Sequence, residues 1–215
     1  MIISFQHRFI FVAIPKTATH AFRTGFRPHL GPHDWEQCTL FEPKFFPVAA
    51  LAKAGHGHIT CRQIQPFLVP GFWESSFRFC TVRNPYDRFV SYCRFMNPND
   101  LEMRNDPLGN MKRALEGGKS ASHVLLRPQH EFVCDEDGRL LVDYVCRFEA
   151  LQLHFNEICS RLRLPTTPLQ RVNESTTAAS HLVFDRELKE MVCAAYEKDF
   201  ALFDYPEEPE NELCQ

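Results

Sequence analysis

The sequence predicts an α/β fold whose central sheet is mostly parallel. Three short stretches rich in apolar residues, Phe9 to Ile14, Phe77 to Val82 and Leu140 to Cys146, read as strands. Each is followed by a break or corner and then by a segment of helical spacing, and strands that alternate with helices favour a parallel sheet. The 215 residues suit one domain with a substantial core.

The first strand is continuous, apolar and partly β-branched, and Pro15 ends it because proline brings no N–H to a ladder. Ala21, Phe22 and Phe26 then mark the apolar face of a helix. Residues 28–47, with their prolines, His29, His33 and Trp35, read as an irregular loop or lid. Val48 to Ala54 is a short helix, Gly55-His56-Gly57-His58 a flexible turn, and Ile64 to Phe67 another short helix. After the second strand, Arg83-Asn84-Pro85 breaks the chain and residues 86–95 form a helix, for which Pro85 suits the start.

A polar break over residues 97–106 precedes two helices, 108–115 and 121–126, around Gly117-Gly118. Beyond the third strand, residues 148–162 place Leu151, Phe155, Ile158, Cys159 and Leu162 on one helical face. Residues 165–179 read as a loop and 187–203 as a closing amphipathic helix. The expected organisation is a single domain over residues 1–205 with an acidic, flexible tail over 206–215.

A net charge of −3 and a pI near 6.4 argue against a surface that coats nucleic acid. No signal peptide or spanning segment is read: the N-terminal apolar run falls far short of the ~20 residues that cross a bilayer. Stable membrane insertion is therefore not expected, and the expected address is cytoplasmic. The nine cysteines include no Cys-x-x-Cys and several lie in apolar segments, as buried thiols of a reducing compartment do. Phenylalanine is abundant, at 20 residues, which points to aromatic-rich packing.

Chemistry gathers first at Pro15-Lys16-Thr17-Ala18-Thr19-His20. A buried strand, a tight turn and a helix start make a place for an anion, because first-turn N–H groups and the helix dipole favour negative charge. Lys16 adds a full charge, and Thr17 and Thr19 add hydroxyls. Walker A loops need glycines and a Gly-Lys-Ser/Thr ending, and no glycine occurs between Met1 and Phe22. The alternative is an ordinary strand–turn–helix of an α/β protein.

The second constellation is Arg83 to Ser91. An arginine at a strand's carboxyl end lies where open α/β sheets bind ligands, and its fork fits a phosphate. Ser91, two helical turns on, can add a hydroxyl to the same group. The alternative is a structural Arg83–Asp87 ion pair with Ser91 as a plain helix residue. The third is Gly55-His56-Gly57-His58, where histidine has a pKa suited to proton abstraction. Plain loop histidines and a His-x-His metal site are the other readings of that pair, and no third ligand follows at metal-binding spacing.

Together these stretches resemble the sulfotransferases that use PAPS (3′-phosphoadenosine 5′-phosphosulfate), in the heparan sulfate 2-O-sulfotransferase group of sulfotransferase family 2. Ile14 to Thr19 resembles the family's 5′-phosphosulfate loop, and Phe79 to Tyr92, with its Arg83-to-Ser91 spacing, its 3′-phosphate motif. The His56-Gly57-His58 segment is similar to the one that supplies the family's general base. Arg127-Pro128-Gln129, Val142 to Glu149, Asn173-Glu174-Ser175 and Tyr196 to Tyr205 extend the resemblance over most of the chain. His20 departs from the Ser or Thr common at its position.

The resemblance implies a P-loop NTPase-like three-layer core with a central parallel sheet flanked by helices, and no metal. It implies Lys16 and His58, with His56 as alternate base or substrate contact, as catalytic residues. Pro15, Lys16, Thr17, Ala18, Thr19, His20, Arg83, Ser91, Arg171, Asn173, Ser175 and Thr176 would contact PAPS. The acceptor would be a hydroxyl of a glycan or of a peptide tyrosine, and the nucleotide product PAP, adenosine 3′,5′-bisphosphate. Golgi members carry an N-terminal anchor; without one, the chain reads as a cytosolic, bacterial-type relative or as a piece of a longer protein. Arg94, Arg104, Lys112 and Arg113 either meet an anionic acceptor or form a solvated helix face. The competing functions are an ATP-dependent kinase on the same core and a non-catalytic nucleotide-binding scaffold.

Overall fold

A computed structural model describes residues 1–39, 42–96, 105–116, 123–170 and 184–208. Its sheet contains β1 (Ile2–Ser4), β2 (Phe9–Val12), β3 (Trp35–Glu36), β4 (Phe77–Val82) and β5 (Tyr144–Arg147), in the order β3-β1-β2-β4-β5. The three strands read from sequence form its parallel half, with Phe11 beside Phe79 and Cys80 beside Val145. β1 is antiparallel to both β2 and β3. This antiparallel edge was not expected. Its determinant is one polar residue in a loop-like stretch: Asp34 accepts from the Ser4 hydroxyl (2.7 Å) and from the backbone N–H groups of Phe5 and Gln6. That carboxylate closes the turn after β1 and brings β3 alongside.

The helices are α1 (Thr19–Phe26), α2 (Ala49–Ala52), α3 (Cys61–Ile64), α4 (Phe72–Ser75), α5 (Pro85–Met96), α6 (Pro107–Leu115), α7 (His130–Val133), α8 (Leu151–Leu162) and α9 (Arg186–Leu202). Several boundaries differ from the sequence reading, each for a local reason. The third strand begins at Tyr144 rather than Leu140, because Leu140 bridges back to Cys134 across a turn at Gly138. Of the helix read over 121–126, residues 121–122 lie outside the described residues and 124–126 form turns. Phe148–Ala150 is a 3-10 turn that leads into α8. α9 is interrupted at Tyr196, whose φ of −127° and ψ of 22° are not helical.

By contacts the chain divides into two compact units. The first, Met1–Val82 with Gln129–Val172, carries the sheet. Its core explains the phenylalanine excess. Phe11 lies 5.4 Å from Phe79 and 5.5 Å from Phe22, and Phe26 lies 5.0 Å from Phe155, centroid to centroid. Such pairs add about 0.5–1.5 kcal/mol each beyond area burial. α1 can lie close to α8 because Gly25 has no side chain: a Cβ there would stand 2.7 Å from the Phe155 ring.

The second unit, Arg83–Pro128 with Asn173–Gln215, contains α5, α6 and α9, and α9 packs on the other two. The first residues of the acidic tail are held in it. The Tyr86 hydroxyl and the Cys193 thiol both donate to the Glu207 carbonyl, and Lys189 pairs with Glu208 at 2.9 Å.

Among the described residues no helix is long and apolar enough to cross a membrane. Eight described cysteines are free, and all but Cys193 are buried. Burial pushes the Cys61 and Cys93 thiols up to about 12, so they are held as inert thiols.

Candidate functional site

The turn between β2 and α1 is made without glycine. Lys16 (φ 65°) and Ala18 (φ 62°, ψ 31°) both take the left-handed conformation, one on either side of Thr17. For an L-residue this costs about 1–2 kcal/mol, the kind of strain that collects at ligand clamps. A glycine-rich phosphate loop avoids that cost; here lysine and alanine bear it. α1 follows with no side-chain N-cap and no acidic residue in its first turn. Its first-turn N–H groups and positive dipole end therefore suit an anion.

Thr17 has another duty. Its hydroxyl is fully buried, donates to the Ile14 carbonyl (2.9 Å) and pairs with the Thr81 hydroxyl (2.7 Å). With its proton directed to Ile14, Thr17 has only its backbone N–H to offer a ligand, and its side chain ties the turn to β4. Pro15 and Thr19 are buried, while Lys16, Ala18 and His20 are half-buried. Burial first, then the charges of Arg23, Arg27 and Lys16, lowers the His20 pKa. His20 is thus neutral at pH 7.

The His56-Gly57-His58 segment meets this turn through one hydrogen bond. His58 Nδ1 lies 2.8 Å from the carbonyl oxygen of Ala13, the residue after β2. A carbonyl only accepts, so Nδ1 carries the hydrogen and Nε2 is left with its lone pair. Burial first, and then the Arg23 charge, holds the His58 pKa well below its ordinary value; the Ala13 hydrogen bond opposes this only in part. The result is a neutral imidazole with Nε2 able to accept a proton. The His56 and His58 rings are 6.0 Å apart. Among the described residues no three His, Cys, Asp or Glu side chains converge as metal ligands would.

In the second unit, Arg83 directly precedes the start of α5. Asn84 caps that helix, its Oδ1 accepting from Tyr86 N (3.0 Å) and its carbonyl from Arg88 N (2.8 Å). Pro85 takes the first helical position, where its missing N–H is no loss. Ser91 is half-buried two turns along α5. Arg171, Asn173, Ser175 and Thr176 lie outside the described residues. Of the basic residues considered for an acceptor, Lys112 pairs with Asp185 (2.7 Å) and Glu187, and Arg113 with Asp106 (3.5 Å). The Lys112 contacts join two helices, whereas the Arg113 pair is an exposed contact with the N-cap of its own helix. Arg104 lies outside the described residues.

Sequence reasoning passed over two buried arginines. Arg23 on α1 and Arg88 on α5 are 4% and 2% exposed. Arg88 donates to the carbonyls of Arg127 (2.7 Å) and Leu125 (3.2 Å), while the Tyr196 hydroxyl donates to Leu126 between them (3.0 Å). The available signal was a charged residue on an otherwise apolar helix face, since charges are rarely buried without partners.

Comparison with known families gives one result: a model described as the sulfotransferase family matches residues 1–206. Neither curated proteins nor solved structures give a match.

Proposed function

The chain belongs to the sulfotransferase family, and from that premise we propose that it moves a sulfuryl group from PAPS to a carbohydrate hydroxyl, with His58 as general base. The observation that carries this reading is the His58 Nδ1–Ala13 hydrogen bond of 2.8 Å. It ties a neutral imidazole, Nε2 unprotonated, to the strand end three residues before Lys16.

PAPS supplies the sulfuryl group. As the acceptor oxygen bonds to sulfur, its proton passes to His58 Nε2 and the bond from sulfur to the 5′-phosphate oxygen breaks. Lys16 and the first-turn N–H groups of α1 stabilise the charge that grows on that oxygen, as preorganised donors do elsewhere. Arg83 and Ser91 take the 3′-phosphate, the group that separates PAPS from ATP, and the nucleotide leaves as PAP. Arg171, Asn173, Ser175 and Thr176 complete the nucleotide contacts on resemblance alone. The continuous family match supports reading both units as one catalytic domain. The buried free thiols suit a reducing compartment, so the cytoplasm is the proposed address.

The test is calorimetric titration with PAP beside ATP and 5′-AMP, on wild type and Arg83→Ala, followed by acceptor screening with PAPS. Selective PAP binding, lost in the variant, together with turnover lost in Lys16→Ala and His58→Ala, is the expected result. Equal binding of ATP, or PAP binding without turnover on any sugar acceptor, would overturn it, and turnover on tyrosine alone would overturn the carbohydrate assignment.

A further inference from the structure

The His56–His58 segment has no secondary structure of its own, yet all three of its residues are hydrogen-bonded to distant parts of the chain. Gln37, fully buried, donates from Nε2 to the His56 carbonyl (2.8 Å) and to the Leu51 carbonyl (2.8 Å). Arg23 donates from Nη2 to the Gly57 carbonyl (3.2 Å) and to the carbonyl of Gln37 itself (2.9 Å), two acceptors it shares with the Met1 amino group (2.6 and 3.2 Å). His58 donates to Ala13. The glycine makes the approach possible: a Cβ at residue 57 would lie 2.2 Å from the Gln37 carbonyl oxygen and 2.5 Å from Arg23 Nη2.

Arg23 is an unusual choice for such a contact. It is 4% exposed, and its nearest carboxylate, Glu36, approaches Nε only to 4.0 Å while engaging Arg27 at 3.0 Å. A buried charge is costly unless its donors are used. Nη2 is used on two backbone carbonyls that belong to different loops. It therefore acts as a cross-link from α1, the helix that begins at the anion-binding turn, to the histidine segment.

We propose that Arg23 and Gln37 are a pair of positioning residues that pin the His56 and Gly57 carbonyls and so aim His58 Nε2 at the acceptor hydroxyl. The inference rests on His58 as the proton acceptor. The groups that face His58 are Arg23 from α1, the amino group at Met1, the Ala13 carbonyl and His56. Removing the guanidinium therefore has two consequences. The Gly57 carbonyl loses one of its two donors, which loosens the segment, and a charge that disfavours imidazolium is lost.

The test is nitrogen-15 NMR of the histidine side chains in the full chain, assigned with His58→Ala and compared among wild type, Arg23→Met and Arg23→Lys. Wild type is expected to show His58 as one tautomer, protonated at Nδ1. Arg23→Met should show a mixture of tautomers and a higher titration midpoint. Its kcat should fall about 10- to 100-fold, in the range lost when a general base is misplaced, with KM for PAPS unchanged. Arg23→Lys keeps the charge, so its midpoint should stay near wild type while the single tautomer is lost. If Arg23→Met does not fold, the tautomer in Arg23→Lys decides. A folded variant whose His58 tautomer and midpoint match wild type would overturn the proposal. The spectra need neither PAPS nor acceptor, so absent sulfuryl transfer defeats the proposed function without deciding this question.

Discussion

The imidazole of His58 donates from Nδ1 to the Ala13 carbonyl across 2.8 Å, and this bond fixes which nitrogen can take a proton. Because burial holds the His58 pKa well below 6.5, the base form persists as pH falls through that value. The acid limb of kcat/KM is therefore expected below pH 6.5. A limb at or above pH 6.5 would remove His58 as the base.

The same depression links to stability. Below pH 6.5 the unfolded chain protonates this histidine before the folded chain does, so the unfolded state binds more protons. Stability then falls as pH drops from 6.5 towards the folded pKa, with a slope of up to about 1.4 kcal/mol per pH unit. His58→Gln should flatten that slope in chemical denaturation between pH 5 and 6.5, and an unchanged slope would assign it to another group.

Ala18 holds φ 62° with no glycine to ease it. Ala18→Gly removes about 1–2 kcal/mol of backbone strain and adds about 0.4–1 kcal/mol of unfolded-state entropy. A net stabilisation of about 0.5–1 kcal/mol is expected from denaturant midpoints at constant m. Destabilisation would mean that the Ala18 methyl group contributes more in contacts than its conformation costs.

Gly57 sits where a methyl group would strike backbone, 2.2 Å from the Gln37 carbonyl oxygen. Backbone cannot swing aside as the end of a side chain can. Gly57→Ala is expected to cost about 1–3 kcal/mol, as overpacking does, and to lower kcat while PAP affinity holds. Wild-type turnover in this variant would show that the approach of Arg23 and Gln37 to the segment is not needed.

The parallel half of the sheet was legible because β2 is a continuous apolar run and β4 an apolar stretch interrupted only by Arg78 and Thr81, each short, rich in aromatic and β-branched residues and closed by a proline shortly after it. β1 and β3 were not. They are three and two residues long, and what aligns them is Asp34, 30 positions from Ser4, a contact that no local pattern announces. The site divides in the same way. Lys16, Arg83 and the paired histidines stood out by chemistry and spacing. Arg23 and Gln37 did not, because their role comes from carbonyl oxygens, and every residue carries one. Thr17 was legible as a hydroxyl beside the lysine, but its fully buried bond to Thr81 depends on the neighbouring strand.

Lys16 and Arg83 should separate kinetically, because the proposed reaction asks different things of them. Negative charge develops on the leaving oxygen only as the bond to sulfur breaks, so the Lys16 ammonium acts mainly in the transition state. Lys16→Ala should lower kcat about 10²- to 10³-fold, as loss of one such donor does, with a smaller change in KM for PAPS. The 3′-phosphate carries the same charge before and after transfer, so Arg83 contributes equally to ground and transition states. Arg83→Ala should raise KM and weaken PAP by about 1.5–3 kcal/mol, the worth of hydrogen bonds to a charged group, with kcat nearly unchanged. Steady-state kinetics on both variants with PAPS varied decides the matter. If Arg83→Ala loses kcat instead and leaves KM alone, Arg83 acts on the reacting centre and the assignment of the 3′-phosphate to it fails.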